Sequence, residues 1–323
     1  MTPDRTRSEG VEAVSRRQCA PRRLARRLLE GCGAPVPGAA DPAGHNWQDR
    51  HRLLIEAVLP EMAEATVVSH QSAAVLYGTT LWRTPLDRVC VTRNRRGGGR
   101  IRPYAKVYGS PIDSAAEVDG LLVTTPARTV VDLALTLPFD AAVVACDALT
   151  GAFGLTAPEL TAELAQAKCR HGITQAKQVV AMLDGRSQSI GESLSRVMLH
   201  RMHLPMPRSQ GNVLTPDGRF VGRVDFYYED AGVLCEFDGP MRYGRLLRHG
   251  QPAADVVRRE QIRENYLRAL GFQVVRWTWN ELQGDAAGRR LRAALARGRS
   301  VRADGRIEPA PALEPRRAPV RPL

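Results

Sequence analysis

Arg219-Phe220-Val221-Gly222-Arg223-Val224-Asp225-Phe226-Tyr227-Tyr228, then Glu229-Asp230-Ala231-Gly232, then Val233-Leu234-Cys235-Glu236-Phe237-Asp238-Gly239: this stretch decides how the C-terminal third of the chain is read. Two runs rich in aromatic and β-branched residues flank a short polar turn, which predicts two adjacent antiparallel strands. Upstream, Thr215-Pro216-Asp217-Gly218 is a hairpin turn joining the first run to a strand over residues 210–214. Further upstream, Ser189 to Leu199 reads as a helix with Glu192 in its first turn and Leu194, Val197 and Met198 on its apolar face. Downstream, a helix from about Ala254 to Leu270 stops at Gly271, and Phe272 to Trp279 forms a last strand. The order is α-β-β-β-α-β, an α/β unit.

Its acids carry the chemical question. Asp225 sits among apolar neighbours near the end of one strand, and Glu236 lies within another. Burying a lone carboxylate costs several kcal/mol unless a cation or a full set of donors compensates it. Adjacent antiparallel strands can set Asp225 beside Glu236, and Glu192 on the neighbouring helix can complete the group. Mg²⁺, which takes oxygen ligands and keeps several waters, is the economical solution. Such an ion would polarise a phosphodiester and activate bound water.

With Arg223-Val224-Asp225-Phe226, Glu236-Phe237-Asp238-Gly239, the charged helix face from Asp255 to Arg263 and Gly271-Phe272-Gln273-Val274-Val275-Arg276 in this order, the segment resembles the PD-(D/E)XK nuclease superfamily. It is most similar to small uncharacterised domains related to very-short-patch-repair endonucleases. The resemblance implies a restriction-endonuclease-like fold and metal-dependent cleavage of DNA. Its metal ligands would be Glu192, Asp225 and Glu236, with Asp238 as a helper and Arg242 stabilising charge. The superfamily motif places a lysine where Asp238 stands, and no lysine follows Lys177; the related small domains also carry aspartate there. Arginine cannot replace that lysine as a base. The reading that competes with an endonuclease is a DNA-binding antitoxin or transcriptional regulator whose nuclease-like fold does not cut.

The middle of the chain, residues 48–183, reads as an α+β domain. It has a helix at His51 to Ala63, a helix at His70 to Tyr77 with Ser69 as N-cap and Gly78 closing it, and strands at 88–92, 106–109 and 120–124. Helices follow from Pro126, over 139–150 and over 156–168. Ser69-His70-Gln71-Ser72-Ala73-Ala74-Val75-Leu76-Tyr77-Gly78 and Thr125-Pro126-Ala127-Arg128-Thr129-Val130-Val131-Asp132-Leu133-Ala134 resemble abortive-infection type IV antitoxin-like proteins. That resemblance implies a setting in phage defence, beside DNA repair for the nuclease-like unit, and raises a toxin as partner. Ser69 and His70 are adjacent, and neighbours on a helix do not face each other, so no serine-hydrolase centre is expected.

The 323-residue chain carries a net charge of +12, almost all of it arginine, since Lys106, Lys168 and Lys177 are its lysines. This points to a polyanionic partner, DNA first and RNA as the alternative. Arg93, Arg95, Arg96 and Arg100 form a glycine-interrupted basic loop suited to phosphates. Arg245, Arg248, Arg258, Arg259 and Arg263 surround the acidic cluster. Six scattered cysteines, without zinc spacing, suggest reduced thiols. No secretory signal or bilayer-length apolar run is present, so a cytoplasmic protein without membrane contact is expected. Residues 1–47 read as a basic, partly flexible segment whose Arg16–Glu30 stretch can form a helix. Residues 188–283 are the nuclease-like domain, and residues 284–323 an Arg/Pro-rich disordered tail.

Overall fold

The computed structural model describes residues 47–239, 253–298 and 303–323. Their elements in chain order begin with α1 (Trp47–Val58), β1 (Thr66–Val68), α2 (His70–Leu76), β2 (Val89–Arg93), β3 (Arg100–Ile101), β4 (Ala105–Gly109), β5 (Ser114–Val118) and β6 (Leu121–Thr124). Four helices follow: α3 (Pro126–Thr136), α4 (Phe139–Phe153), α5 (Ala157–Gln166) and α6 (Ile173–Met182). Then come α7 (Ile190–Arg201), β7 (Arg208–Leu214), β8 (Phe220–Tyr228), β9 (Val233–Asp238), α8 (Ala253–Ala269), β10 (Gln273–Thr278), α9 (Ala286–Gly298), β11 (Arg306–Pro309) and β12 (Val320–Pro322). The described residues form a mixed α/β protein with two sheets, and the chain divides into two compact units: residues 1–181 with 315–323, and residues 182–314.

In the first unit the sheet order is β12-β5-β6-β1-β2-β4-β3. Pairs β1/β6 and β2/β4 are parallel and the others antiparallel. Helix α3 begins where Thr125 accepts a hydrogen bond from Arg128 N and Pro126 occupies the first turn, where its missing N–H costs nothing. Helix α3 buries Val130, Val131, Leu133 and Ala134, and α4 buries Val143, Val144 and Leu149. Strand β1 spans three residues and β5 is Ser-Ala-Ala-Glu-Val, too short and too poor in β-formers to announce themselves.

In the second unit the order is β10-β9-β8-β7-β11, with β10/β9 parallel and the other pairs antiparallel. The α7-β7-β8-β9-α8-β10 succession gives the α-β-β-β-α-β order. Gly218, at φ +86°, makes the turn between β7 and β8, and Gly271, at φ +86°, ends α8. Along β10 the alternation puts Trp277, which is fully buried, on one face and Arg276 on the other. Val213, Val224, Tyr227 and Leu234 pack with Leu267 of α8 and with Phe272.

The expectation of a disordered tail after residue 284 is corrected by the fold. Ala287, Leu291 and Ala294 recur at helical spacing and are buried, so α9 has an apolar stripe despite its arginine-rich composition. Beyond it, β11 adds an edge strand to β7, and β12 adds one to β5. Among the described residues no helix is long and apolar enough to cross a membrane. Cys90, Cys146, Cys169 and Cys235 are free thiols. The N-terminal basic segment lies outside the described residues.

Candidate functional site

Glu192 stands in the first turn of α7, where the helix dipole favours a negative charge. Its carboxylate accepts from Ser189 Oγ at 2.8 Å, Gln188 N at 2.9 Å and Gln210 Nε2 at 2.7 Å. Gln210 in turn accepts on Oε1 from Arg223 Nε at 2.7 Å, so the chain of contacts runs Glu192–Gln210–Arg223. Gln210 adopts φ +62°, a left-handed backbone in the middle of β7.

Asp225 lies on β8 just past the Phe226–Cys235 pair with β9, and its Oδ2 accepts from Phe237 N at 2.8 Å. The carboxylate thus serves the β9 backbone where a strand carbonyl would otherwise do so. Val224 and Tyr227, three residues apart, both pack against Leu234 and Leu267. The alternation of β8 therefore slips by one across Asp225 and Phe226.

Glu236 is fully buried in β9 and accepts on Oε1 from Arg263 Nη2 of α8 at 2.6 Å. The β9/β10 register sets Arg276 directly beside it, and Arg276 Nη2 lies 2.9 Å from Oε2. Glu260 and Glu264 complete the group. Arg263 Nη2 and Arg276 Nη2 each lie 2.5 Å from Glu260 Oε1, and Arg276 Nη1 lies 3.4 Å from Glu264 Oε2. Burial acts to lower the Arg263 pKa, but the bonds and charge of Glu260 and Glu236 outweigh it and hold the guanidinium firmly protonated. Burial likewise acts to raise the Glu260 carboxyl, and its bonds with Arg263 and Arg276 overcome that and lower it.

These placements separate the predicted ligands. Glu236 faces α8, whereas its neighbour Phe237 meets α7, where a Cβ on Gly191 would come within 1.9 Å of the Phe237 ring. Successive strand residues point to opposite faces, so Glu192 and Glu236 belong to opposite layers of the sheet. Asp238, half-buried at the end of β9, contributes charge that raises the Arg276 pKa, against the lowering effect of burial. Among the described residues no group of three or more His, Cys, Asp or Glu side chains is disposed to hold a metal ion. The donor set does not fit Mg²⁺ as it stands: each of the three carboxylates meets donors or cations of the protein itself.

Of the basic residues, Arg258 and Arg259 are exposed on α8, while Arg263 turns inward to the acids. Arg242, Arg245 and Arg248 lie outside the described residues. In the first unit, Arg95, Arg96 and Arg100 are exposed and Arg93 half-buried, and Arg95 folds back onto the Gly98 carbonyl. Gly109 allows the loop to approach closely, since a Cβ there would lie 2.2 Å from the Gly97 carbonyl oxygen.

A buried polar group at the start of α2 also differs from expectation. His70 adopts φ +54°, which turns its ring back so that Nδ1 lies 2.9 Å from Ser69 Oγ. The Ser69 hydroxyl, standing at the N-cap position, makes no capping bond and accepts instead from Thr92 Oγ1 at 2.8 Å. Asp132, fully buried, lies 4.0 Å from the same Nδ1, and Arg128 Nε and Arg170 Nη1 hold it at 3.1 and 2.6 Å. Tyr108 stacks on His70 at 3.7 Å. A hydrolytic relay needs its serine and its acid on opposite imidazole nitrogens; here both approach Nδ1 and Ser69 is sealed from solvent. Burial lowers the pKa of His70 to about 4, against the raising effect of Asp132.

No family model matches the chain, and no solved structure matches it. The chain is similar to two uncharacterized proteins of Mycobacterium tuberculosis, one from strain CDC 1551 / Oshkosh and one from strain H37Rv. Each is 28% identical over 180 residues, covering 56% of this chain and 62% of the relative. The chain thus spans about 62% of the length of the curated relatives it matches.

Proposed function

We propose that this chain is a nucleic-acid-binding protein whose nuclease-like second unit does not cut, in the manner of a DNA-binding antitoxin or transcriptional regulator. One observation carries the reading. The carboxylate expected to ligate the catalytic metal, Glu236, is fully buried and compensated by Arg263 and Arg276. A buried acid with two guanidiniums has no deficit of positive charge for a divalent ion to fill. The motif position held by Asp238 agrees with this, because no lysine stands there to activate water. The net charge of +12 supports a polyanionic partner. Arg258, Arg259, Arg95, Arg96 and Arg100 supply exposed cations for it.

The test uses the full chain with labelled duplex DNA, single-stranded DNA and RNA. Binding is followed by fluorescence anisotropy at several salt concentrations, beside a plasmid-cleavage assay in Mg²⁺, Mn²⁺ and EDTA. Binding that weakens steeply with salt, with no divalent-dependent cleavage of any substrate, is the expected result. Divalent-dependent cleavage that disappears in Glu236→Ala would overturn the reading in favour of an endonuclease.

A further inference from the structure

Residues 315–323 belong to the first compact unit, although the second unit, residues 182–314, precedes them in the chain. They lie along the first unit as a strap. Arg316 N donates to the Ala152 carbonyl at 2.7 Å, and Arg316 Nη1 donates to the Tyr77 carbonyl at 3.2 Å. Strand β12 then pairs antiparallel with β5, setting Val320 beside Ala116, Arg321 beside Ala115 and Pro322 beside Ser114. Glu117 N donates to the Pro319 carbonyl and Leu323 N to the Asp113 carbonyl, each at 3.2 Å. Arg321 Nη1 lies 3.2 Å from Glu117 Oε2. Yet no residue of the strap is buried. All are exposed except the half-buried Ala318, with Val320 at 55% and Leu323 at 49%. A cavity of about 370 Å³ opens beside the pairing, lined by Glu117, Asp119 and Gly120 on one side and by Pro319, Val320 and Arg321 on the other.

We propose that this strap is exchangeable, and that the β5 edge beneath it is an interface with a second copy of this chain. The second copy docks its own residues 315–323 there and receives this chain's strap in return. The strap is held by hydrogen bonds and one exposed ion pair, which individually contribute little. Little apolar burial adds to them. Upstream the chain is fixed at Ala310, which is buried and whose N donates to the Gln210 carbonyl at 2.8 Å. Between these two attachments, Pro311, Ala312, Leu313 and Glu314 are all exposed, and among the described residues they make no hydrogen bond. Lifting the strap therefore breaks its own bonds and no others.

The edge itself selects the occupant. An uncovered edge strand offers unpaired N–H and C=O groups to an extended segment. Residues 315–323 fit that edge in register and in charge, because Arg321 meets Glu117. The same bonds form within one chain and between two, so they cancel, and the linker and the protein concentration set the balance. Reciprocal exchange about a two-fold axis covers both edges at once. Prolines stop the pairing at that point. The Pro319 carbonyl and Leu323 N face β5, so by alternation Val320 and Pro322 turn their main-chain groups outward. Pro322 has no N–H to offer, which makes the outer side of the strap a poor template for a further strand. The assembly closes at two copies.

The experiment uses the full chain. Ser114 and Pro322 are register partners that do not bond each other, and such pairs stand about 4.5 Å apart at Cα, within reach of a disulfide. Ser114→Cys and Pro322→Cys are made as separate chains with different tags, each checked for an unchanged melting temperature. They are mixed at high concentration and oxidised mildly, beside wild type, whose native cysteines give the background. A disulfide joining position 114 of one chain to position 322 of the other, mapped by mass spectrometry, is expected from the mixture and from neither variant alone. Light scattering of wild type should show the mass doubling as concentration rises. Deleting Ala312 and Leu313 shortens the linker, so the strap no longer reaches its own β5, and the dimer should then persist on dilution. If the mixture gives no such link while Ser114→Cys/Pro322→Cys in one chain closes on itself, the strap stays at home and the proposal is wrong. A wild-type dimer without the 114–322 link places the interface elsewhere and also overturns it. Should a cysteine variant fail to fold, light scattering still decides, because a monomer at every concentration for wild type and for the shortened chain excludes exchange.

Discussion

Arg263 donates from Nη2 to Glu236 Oε1 at 2.6 Å, joining the middle of α8 to the buried heart of β9. Glu236 is fully buried and the Arg263 side chain is 18% exposed, so the pair sits where water screens little. The β9/β10 register then brings Arg276 to the other carboxylate oxygen. Two strands and a helix thus meet on one carboxylate, which makes Glu236 a structural centre of the second unit.

Glu236→Ala leaves two guanidiniums short of their shared acid, and removing one member of a buried ionic group costs about 3–5 kcal/mol. Urea unfolding of the full chain should show a loss of that order. Glu236→Leu combined with Arg263→Met replaces charge by matched apolar volume and should cost clearly less than Glu236→Ala. Mg²⁺ should leave the melting temperature of wild type unchanged, because a ligand stabilises only a state that binds it. An Mg²⁺-dependent rise in melting temperature that vanishes in Glu236→Ala would contradict this account.

Gly191 is required by close approach. A Cβ there would fall 1.9 Å from Phe237 Cε1 and 2.3 Å from Cδ1 and Cζ, so either α7 or the ring must move. Gly191→Ala is expected to destabilise the second unit by about 1–3 kcal/mol, the usual penalty of overpacking. The glycine is helical, and alanine would otherwise be favoured there by roughly 1 kcal/mol. Phe237→Leu in the same chain should recover part of the loss. Equal stability of Gly191→Ala and wild type by urea unfolding would show that α7 does not press on β9 in this way.

The legible and illegible parts of the sequence divide along physical lines. Strands β8 and β9 and the turn at Gly218 are readable because apolar runs and punctuating residues are local. The pairing of Glu236 with Arg276 is not, since it depends on a parallel register set by a crossover through α8. Nor is the separation of Glu192 from Glu236, because strand parity tells which residues share a face but not which helix covers it. The Ser69–His70 contact escapes sequence reasoning because a left-handed histidine at a helix start breaks the rule that neighbours diverge. Helix α9 is hidden by its arginine-rich composition, although Ala287, Leu291 and Ala294 already carry the helical spacing.

Two buried histidines in the first unit set a pH dependence. His51 receives a hydrogen bond on Nε2 from Ser72 Oγ at 2.8 Å when Nδ1 donates to the Leu86 carbonyl at 2.9 Å. Burial lowers its pKa to about 4, against the raising effects of Leu86 and Asp87, and lowers that of His70 to about 4 as well. The unfolded chain, with ordinary values of 6.5, takes these protons first as pH falls. The stability linked to these groups is therefore complete above pH 6.5, declines between 6.5 and about 4, and declines no further below that. Each contributes on the order of 3 kcal/mol across that window. Asp132, whose pKa is lowered by His70, Arg128 and Arg170 although burial acts to raise it, adds a loss only in more acid solution. Proton NMR titration should find both imidazoles neutral down to about pH 5. An ordinary titration near 6.5 for either ring would contradict this account.

Trp277 offers the cleanest test of how α7 is fastened to the sheet. Its indole Nε1 donates to Ser195 Oγ at 2.7 Å, and the Ser195 hydroxyl donates onward to the Gly191 carbonyl at 2.6 Å, all of it buried. Ser195→Ala removes the acceptor and leaves a buried N–H unsatisfied, which costs about 1–3 kcal/mol. Trp277→Phe removes the donor but also opens space beside Phe226, whose ring lies 6.1 Å away, so its cost includes lost packing as well as the bond. The double variant separates the two contributions. Once the indole N–H is gone, Ser195→Ala no longer strands a donor, so the two changes together should cost less than the sum of each alone by about 1 kcal/mol. Strict additivity in urea unfolding would mean that this hydrogen bond contributes nothing to holding α7 on β10.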